Sequence, residues 1–345
     1  PRQPVNLLAD EVRVLLADKN NNLWIGTGET FDATVSGNGL VRLDLETKEA
    51  KRFLHDPSNE NSLLDNRVSA LFEDQEGKIW IGTCQSGLHY YDPRQETITR
   101  MMPTPGDSSL YAPQGEMGLW SSCPHVRFIH QDQDENFWVG TYNGGVHYFD
   151  AERKRLSHYQ HAPSNPGSLN SDQVWTFLED KQERIWIGNL PGGLHMVDPS
   201  LHKFKVYSHD AGNPAGLSND QVMGAYATPD QADMIWIATQ GGGLNLLDLK
   251  SEQFQRFRHQ ANDPYSISND NVWITFEDSN GTFWVGTEAG LDTLDRLSGK
   301  FTTYQIRDKD TLVAVPFPVI SIHEDKQGDL WLGTWSGGMI RLDKD

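Results

Sequence analysis

The sequence is poor in cysteine and in positive charge, and it has no long apolar run. Its 345 residues include two cysteines, Cys84 and Cys123, too few for a disulfide scaffold or a four-cysteine zinc site. Lys and Arg number 29 against 48 Asp and Glu, a formal charge of −19. So acidic a surface is repelled by phosphate backbones and anionic lipid, which excludes general nucleic-acid or membrane-surface binding. No stretch approaches the roughly 18 apolar residues of a membrane helix, so no direct membrane insertion by this segment is expected, and its opening residues do not read as a signal peptide. What the chain does have is 11 Trp, 14 Phe and 10 Tyr, more large apolar groups than a disordered chain carries. Its 31 Gly and 17 Pro are spread along its length, which points to many short elements joined by turns.

The tryptophans reveal a repeat. Trp24, Trp80, Trp138, Trp186, Trp236, Trp284 and Trp331 sit in the words LWIGT, IWIGT, FWVGT, IWIGN, IWIAT, FWVGT and LWLGT, 47 to 58 residues apart. Each unit has one grammar: an alternating apolar stretch such as VSALFED, an acidic-polar turn, the Trp word, a Gly-rich turn, a stretch ending in Asp such as LHYYD, and a shorter aromatic stretch such as FKVYSH. Period-two alternation, β-branched and aromatic residues, and bounding turn residues are strand and hairpin signals. Four short antiparallel strands per unit, seven times over, predict an all-β, seven-bladed β-propeller occupying residues 1–345 as a single domain. The expected blades are residues 1–63, 64–124, 125–168, 169–216, 217–266, 267–312 and 313–345. The last ends at MIRLDKD with no fourth strand after it. A single four-stranded sheet cannot bury both apolar faces, and packing sheet on sheet buries them. The repeated Trp on the second strand is therefore first a structural ring that fills the gap between neighbouring blades.

Units such as HDPSNENSLLDNRVSALFEDQEGKIWIGTCQSGLHYYD and HAPSNPGSLNSDQVWTFLEDKQERIWIGNLPGGLHMVD resemble the two-component regulator propeller repeat. The specific parts are N-x-x-S-L before the first strand, E-D-x-x-x-x-I-W-I-G-T, and G-G-L before a strand ending in Asp; the match spans essentially the whole chain. The resemblance implies an extracytoplasmic, periplasmic sensor region of a membrane-bound bacterial signalling protein, of the kind found in hybrid histidine kinases that respond to polysaccharide fragments. It implies a carbohydrate or other small-molecule ligand, neighbouring domains of the parent sensor as partners, a homodimer as a further partner, and no cofactor. The further modules of full-length sensors are not in this sequence, so it is expected to be a segment of a longer chain.

Strand order places the loops that could bind. Loops entering strand one and loops joining strands two and three share one end of each blade. Two lengthened segments fall there: 28–38 in blade one, with Phe31 and Asp32, and 103–123 before blade three, with Tyr111 and Trp120. Long loops on a rigid scaffold commonly carry function. The residues after the Trp words join them: Cys84 and Gln85, Tyr142 and Asn143, Leu190 and Pro191, Gln240, Glu288, and Trp335 and Ser336. Tyr142 and Trp335 suit stacking on a sugar face, and Gln85 and Asn143 suit pairing with hydroxyls. Arg67, His125, Gln173, Gln221 and Asn271, just before strand one, are expected at the same end. Ligand-binding candidates are thus Phe31, Asp32, Arg67, Gln85, Tyr111, Trp120, His125, Tyr142, Asn143 and Trp335. Cys84 and Cys123 fall at this end too, and a disulfide between them would suit an oxidising periplasm.

Other patterns read as structural. His89, His147 and His195 recur on the third strands of consecutive blades, where sheets about 10 Å apart are too far to share one metal ion. Asp132, Asp134 and Asn136 mimic the start of a calcium loop but lack its Gly and distal Glu. The repeated Glu-Asp pairs open turns, and Gly241–Gly243 forms a hairpin turn. No nucleophile elbow, HExxH or Walker loop is present, so no catalytic residue and no metal site is expected. The alternatives to a sensor are a propeller enzyme acting on polysaccharide, for which His125, Glu288 and Glu116 are the titratable candidates, and a protein-interaction scaffold.

Overall fold

A computed structural model describes residues 12–28, 37–84, 87–101, 125–151, 155–165, 167–198, 203–228, 233–308, 311–335 and 337–342. The fold is an all-β, seven-bladed propeller: among the described residues, six blades have four antiparallel strands and the last has three. Strands follow one another in chain order within every blade. Among the described residues no helix is long and apolar enough to cross a membrane. The chain divides into two compact units, Pro1–His158 with His323–Asp345, and Tyr159–Ile322.

Every first strand opens on valine: Val12–Ala17, Val68–Glu73, Val126–Gln131, Val174–Glu179, Val222–Ala227, Val272–Glu277 and Val319–Glu324. That valine is fully buried in each blade. The Trp word forms the second strand, as in Ile79–Thr83 and Ile185–Asn189, with every residue of these two strands buried. The register explains the word's glycine. A Cβ on Gly82 would come within 2.5 Å of Val126, and one on Gly188 within 2.5 Å of Val222, so only glycine lets the next blade's valine close on the sheet. In blade five the word carries Ala238 instead, and the residue paired with it across the sheet is Gly224.

In the first unit, Trp24 packs among Val68, Ile79, Ile81 and Tyr91 of blade two. Trp80 packs among Val126, Phe137 and Val139 of blade three. Trp331 of the last blade packs on Val12, Leu23, Ile25 and Val41 of the first. In the second unit, Trp186 packs on blade five beside Val222, Ile235 and Ile237, and Trp236 packs on Val272, Phe283 and Val285 of blade six. The repeated ring fills the gap between blades, as its spacing suggests.

A polar anchor holds that ring. The aspartate opening each first turn accepts the indole N–H six residues on: Asp18 from Trp24, Asp74 from Trp80 and Asp180 from Trp186, each at 2.8 Å. The same pairing joins Asp132 to Trp138, Asp278 to Trp284 and Asp325 to Trp331. The other carboxylate oxygen accepts backbone N–H groups of the turn, as Asp74 does from Lys78. The Glu-Asp pairs are therefore turn openers, as expected, and also indole acceptors. The exception is blade five, where Thr228 follows the strand and Trp236 Nε1 is buried without a hydrogen-bond partner.

The sixth blade is expected over residues 267–312 as one four-stranded unit. The structure ends the fourth strand at Lys300–Thr303 and builds a separate hairpin from Gln305–Asp308 and Thr311–Ala314. The alternation of TLVA supplies the second hairpin strand, which a repeat template does not contain.

Candidate functional site

A repeated backbone hydrogen bond assembles the candidate site. In each of five blades the residue after the Trp word donates its N–H to the carbonyl of the residue before the first strand. The pairs are Cys84 with Arg67, Tyr142 with His125, Leu190 with Gln173, Gln240 with Gln221, and Glu288 with Asn271, at 2.9–3.0 Å. The two sets of residues singled out in the sequence are thus joined one to one. Glycines complete the turns where a positive φ is needed: Gly241 (φ 79°) and Gly243 (φ 76°) flank a hairpin bend whose N–H groups both reach the Asp270 carbonyl. This is a turn and not a phosphate cradle.

A second repeated feature lies next to these bonds in the chain. Six first strands carry a bulge directly after their opening valine. A bulge leaves one residue outside the ladder and re-aims its side chain. In the first unit the bulged residues are Arg13, Ser69 and Arg127. In the second they are Trp175, Met223 and Trp273. None of these was anticipated, although the signal is simple: each is the residue after the valine that opens the repeat.

The first unit brings several predicted residues together. Arg67 is buried and grips Asp65 through Nε and Nη2 at 3.3 and 3.1 Å. The His125 ring lies 6.1 Å from the Tyr142 ring, edge to face. The Arg13 guanidinium lies 5.3 Å from the centre of the Trp335 ring, a cation–π contact. Asn143 is half-buried in the turn after Tyr142. Burial, and then the charges of Arg127, Arg67 and Arg13, lower the His125 pKa to about 3. Burial and then Arg13 lower that of Arg127 to about 9. The Cys84 thiol is buried and raised to about 11, first by burial and then by Asp65, with Arg67, Arg127 and Arg13 pulling the other way. Cys84 is thus a protonated, unreactive thiol at neutral pH. Phe31, Asp32, Gln85, Tyr111, Glu116, Trp120 and Cys123 lie outside the described residues, and with them the proposed disulfide.

In the second unit the Trp273 indole donates to Glu288 at 3.0 Å. Gln173, Gln221 and Asn271 stand before their strands and are half-buried. His89 and His195 are fully buried, and each accepts a backbone N–H through Nε2, from Leu64 and Asn170. Burial lowers both to about 4. His147 stacks on His158 with ring centroids 4.1 Å apart. Among the described residues no group of three His, Cys, Asp or Glu could hold a metal ion. Asp132 spends its carboxylate on the Asn136 N–H and the Trp138 indole, as a turn residue.

Blades of this grammar define a repeat β-propeller. Five stretches, residues 6–29, 62–85, 168–190, 266–289 and 318–336, match the family described as two component regulator propeller, and these repeats of the chain belong to it. The chain is similar over 81 residues, at 36% identity, to histidine kinase P4 of Formosa agariphila, which covers 23% of this chain and 5% of that protein. Its fold is similar to the extracellular domain of the putative hybrid two component system BT3049 from B. thetaiotaomicron: TM-score 0.74, 22% identity, 99% of this chain and 40% of that one. It is also similar in fold to the WD40 β-propeller domain of Doa1, with TM-score 0.62, 12% identity, and 97% and 94% coverage. The chain thus spans less than half the length of the kinase and of the two-component protein it matches.

Proposed function

We propose that this chain is the ligand-sensing propeller of a bacterial membrane-bound signalling protein, exposed on the extracytoplasmic side, and that it binds a carbohydrate fragment without turning it over. Binding would alter packing against neighbouring domains of the parent sensor or against a second protomer. The observation that carries this reading is the repeated bond between the residues flanking the first strand and the Trp word, which sets Tyr142 beside His125 at one end of the blades. Support comes from the repeat family's description and from the likeness to histidine kinase P4. Half-buried rings with polar neighbours are how rigid scaffolds hold sugars: the ring packs on the C–H face while amides and guanidinium groups meet hydroxyls.

The enzymatic alternative draws less support. His125, the base it would need, is held near 3, far below the pKa that suits a general base at neutral pH. Glu288 accepts the Trp273 indole. Titration calorimetry of the chain against a panel of oligosaccharides, run beside a product assay, tests the proposal. Saturable binding with the oligosaccharide recovered intact, weakened by Trp335→Ala and Trp120→Ala, is the expected result. Cleavage of the oligosaccharide would establish an enzyme, and affinity untouched by both variants would move the site elsewhere.

A further inference from the structure

We infer that the third-strand histidines His89 and His195 are acid-released latches on the loops entering blades two and four, while blades five and six carry latches that acid does not release. The same position of four third strands receives one hydrogen bond, a backbone N–H from the loop that leads into its own blade. His89 Nε2 accepts from Leu64 at 3.3 Å, and His195 Nε2 from Asn170 at 3.1 Å. Asn245 Oδ1 accepts from Ser218 at 3.0 Å, and Asp292 Oδ2 from Ser268 at 2.8 Å. All four acceptors are fully buried. In each loop a buried residue, Leu63, Leu169, Leu217 or Ile267, stands directly before the latched N–H. Shortly after it, the two histidine-latched loops reach Arg67 and Gln173, whose carbonyls hold Cys84 and Leu190 at the candidate end. Acid thus frees the chain leading into that end in blades two and four and leaves blades five and six held.

The chemistry of the acceptor separates the two pairs. A neutral imidazole has one accepting nitrogen, and a protonated one has none. Protonating His89 or His195 therefore sets an N–H against the N–H of the loop, and the latch must open. The amide oxygen of Asn245 does not titrate and accepts throughout. The surroundings agree. On the neighbouring strands His89 pairs with Ile81 and Arg100. Burial lowers its pKa to about 4; the Ile81 backbone and the loop's Asp65 oppose this, and Arg100 assists. His195 pairs with Ile187 and Val206 and lies beside the Phe204 ring, none of them charged. The titratable groups of its loop are His161, whose Nδ1 meets the Leu169 carbonyl, and Asp172, which accepts the His161 N–H. Burial lowers His195 to about 4 as well, against the Ile187 backbone. In an opened loop either histidine regains its ordinary affinity for protons, so opening gains as pH falls below about 6.5. Asp292 runs the other way. Burial holds it above the usual carboxylate range, against its hydrogen bonds from Ser268 and the charge of His259. Acid therefore favours its closed form, and a protonated carboxyl still offers an accepting oxygen.

The test is site-resolved hydrogen–deuterium exchange of the four latched amides, Leu64, Asn170, Ser218 and Ser268, in the native chain at pH 7 and pH 5. Each rate is corrected for the intrinsic exchange rate at that pH. The expected result is a loss of protection of about tenfold or more at Leu64 and Asn170 in acid, with Ser218 and Ser268 keeping theirs. His195→Asn, which copies the latch of blade five, should make protection at Asn170 independent of pH while Leu64 still responds. Should that variant fail to fold, the comparison of the four amides in the native chain still decides. Equal losses at all four amides would show a general loosening in acid and overturn the inference. Unchanged protection at either Leu64 or Asn170 would overturn it too, as would a His195→Asn chain whose Asn170 still loses protection. None of these outcomes involves a ligand, and the carbohydrate-sensing reading is untouched by them.

Discussion

In blades one and three the residue bulged out after the opening valine is an arginine, Arg13 and Arg127. In blades four and six it is a tryptophan, Trp175 and Trp273. The backbone is the same in all four: valine buried, next residue out of register, ladder resumed on the following one. What differs is only the side chain the bulge presents. The comparison teaches how this repeat separates two tasks. The valine, the Trp word and its aspartate are spent on packing blade against blade. The residue after the valine, and the residue after the Trp word, are free to vary because the ladder does not need them. The tryptophans divide along the same line. Seven lie in Trp words and are buried or nearly so. The remaining four are Trp120, Trp175, Trp273 and Trp335, and the three described among them are half-buried at bulges or after the last Trp word.

The largest expected effect sets these two kinds of tryptophan against each other inside one blade. Trp186→Ala should cost about 3–5 kcal/mol, as truncating a buried aromatic does, because it empties the gap to blade five. Trp175→Ala should cost under about 1 kcal/mol. Urea unfolding of both variants checks this, and equal losses would erase the division of labour.

Next come the anchors. Asp180→Ala strips Trp186 of its acceptor and the turn of its cap, since the carboxylate accepts the Trp186 indole, the Gln182 and Arg184 N–H groups and the Arg184 guanidinium. A loss of about 2–3 kcal/mol is expected, the scale of a hydrogen bond to a charged group plus a buried donor left unmade. Asp74→Ala in the first unit should match it within experimental error, because the scaffold parts of the two units are the same. A large disparity would show that the units are stabilised differently.

Acid should act through buried histidines. His89, His125 and His195 have folded pKa values of about 4, 3 and 4 against an ordinary 6.5. Each is neutral when folded and takes up a proton when unfolded below pH 6.5. The stability they contribute is therefore full above about pH 6.5 and is lost as pH falls from there toward 4. The urea midpoint should drop between pH 7 and pH 5, and His89→Gln should flatten part of that drop. A midpoint that rises over this range contradicts the sign.

The smallest effect concerns binding. Trp273→Ala should weaken an oligosaccharide less than Tyr142→Ala does, measured by calorimetry with the same probe. The reverse order would move the ligand out of the first unit.

Much of this architecture was legible in the residues. The seven Trp words fixed the blade count, because period, turn chemistry and strand patterning agree there, and strand order placed Arg67, Cys84, His125 and Tyr142 at the same end of their blades, though not the backbone bonds that pair them. Three things were harder to read. Arg13 and Arg127 looked like ordinary strand residues, because a bulge is a register event that alternation alone does not mark. The aspartate–indole bond joins residues six apart across a turn, and propensity carries no sign of it. The hairpin at Gln305–Ala314 has no counterpart in the other repeats, so a template built on periodicity passes over it. The lengthened segments with Phe31, Tyr111 and Trp120 lie outside the described residues and contribute nothing to this account beyond their sequence.

The most direct test of the central claim, that the starts of the first strands and the residues after the Trp words form the binding end, is hydrogen–deuterium exchange with and without the tightest-binding oligosaccharide. Protection gathered at residues 67–69, 125–128, 142–143 and 335 is the result expected. Protection confined instead to the turns between first and second strands, around Asn20, Gly77 and Glu135, would place the ligand at the opposite end of the blades and contradict the account.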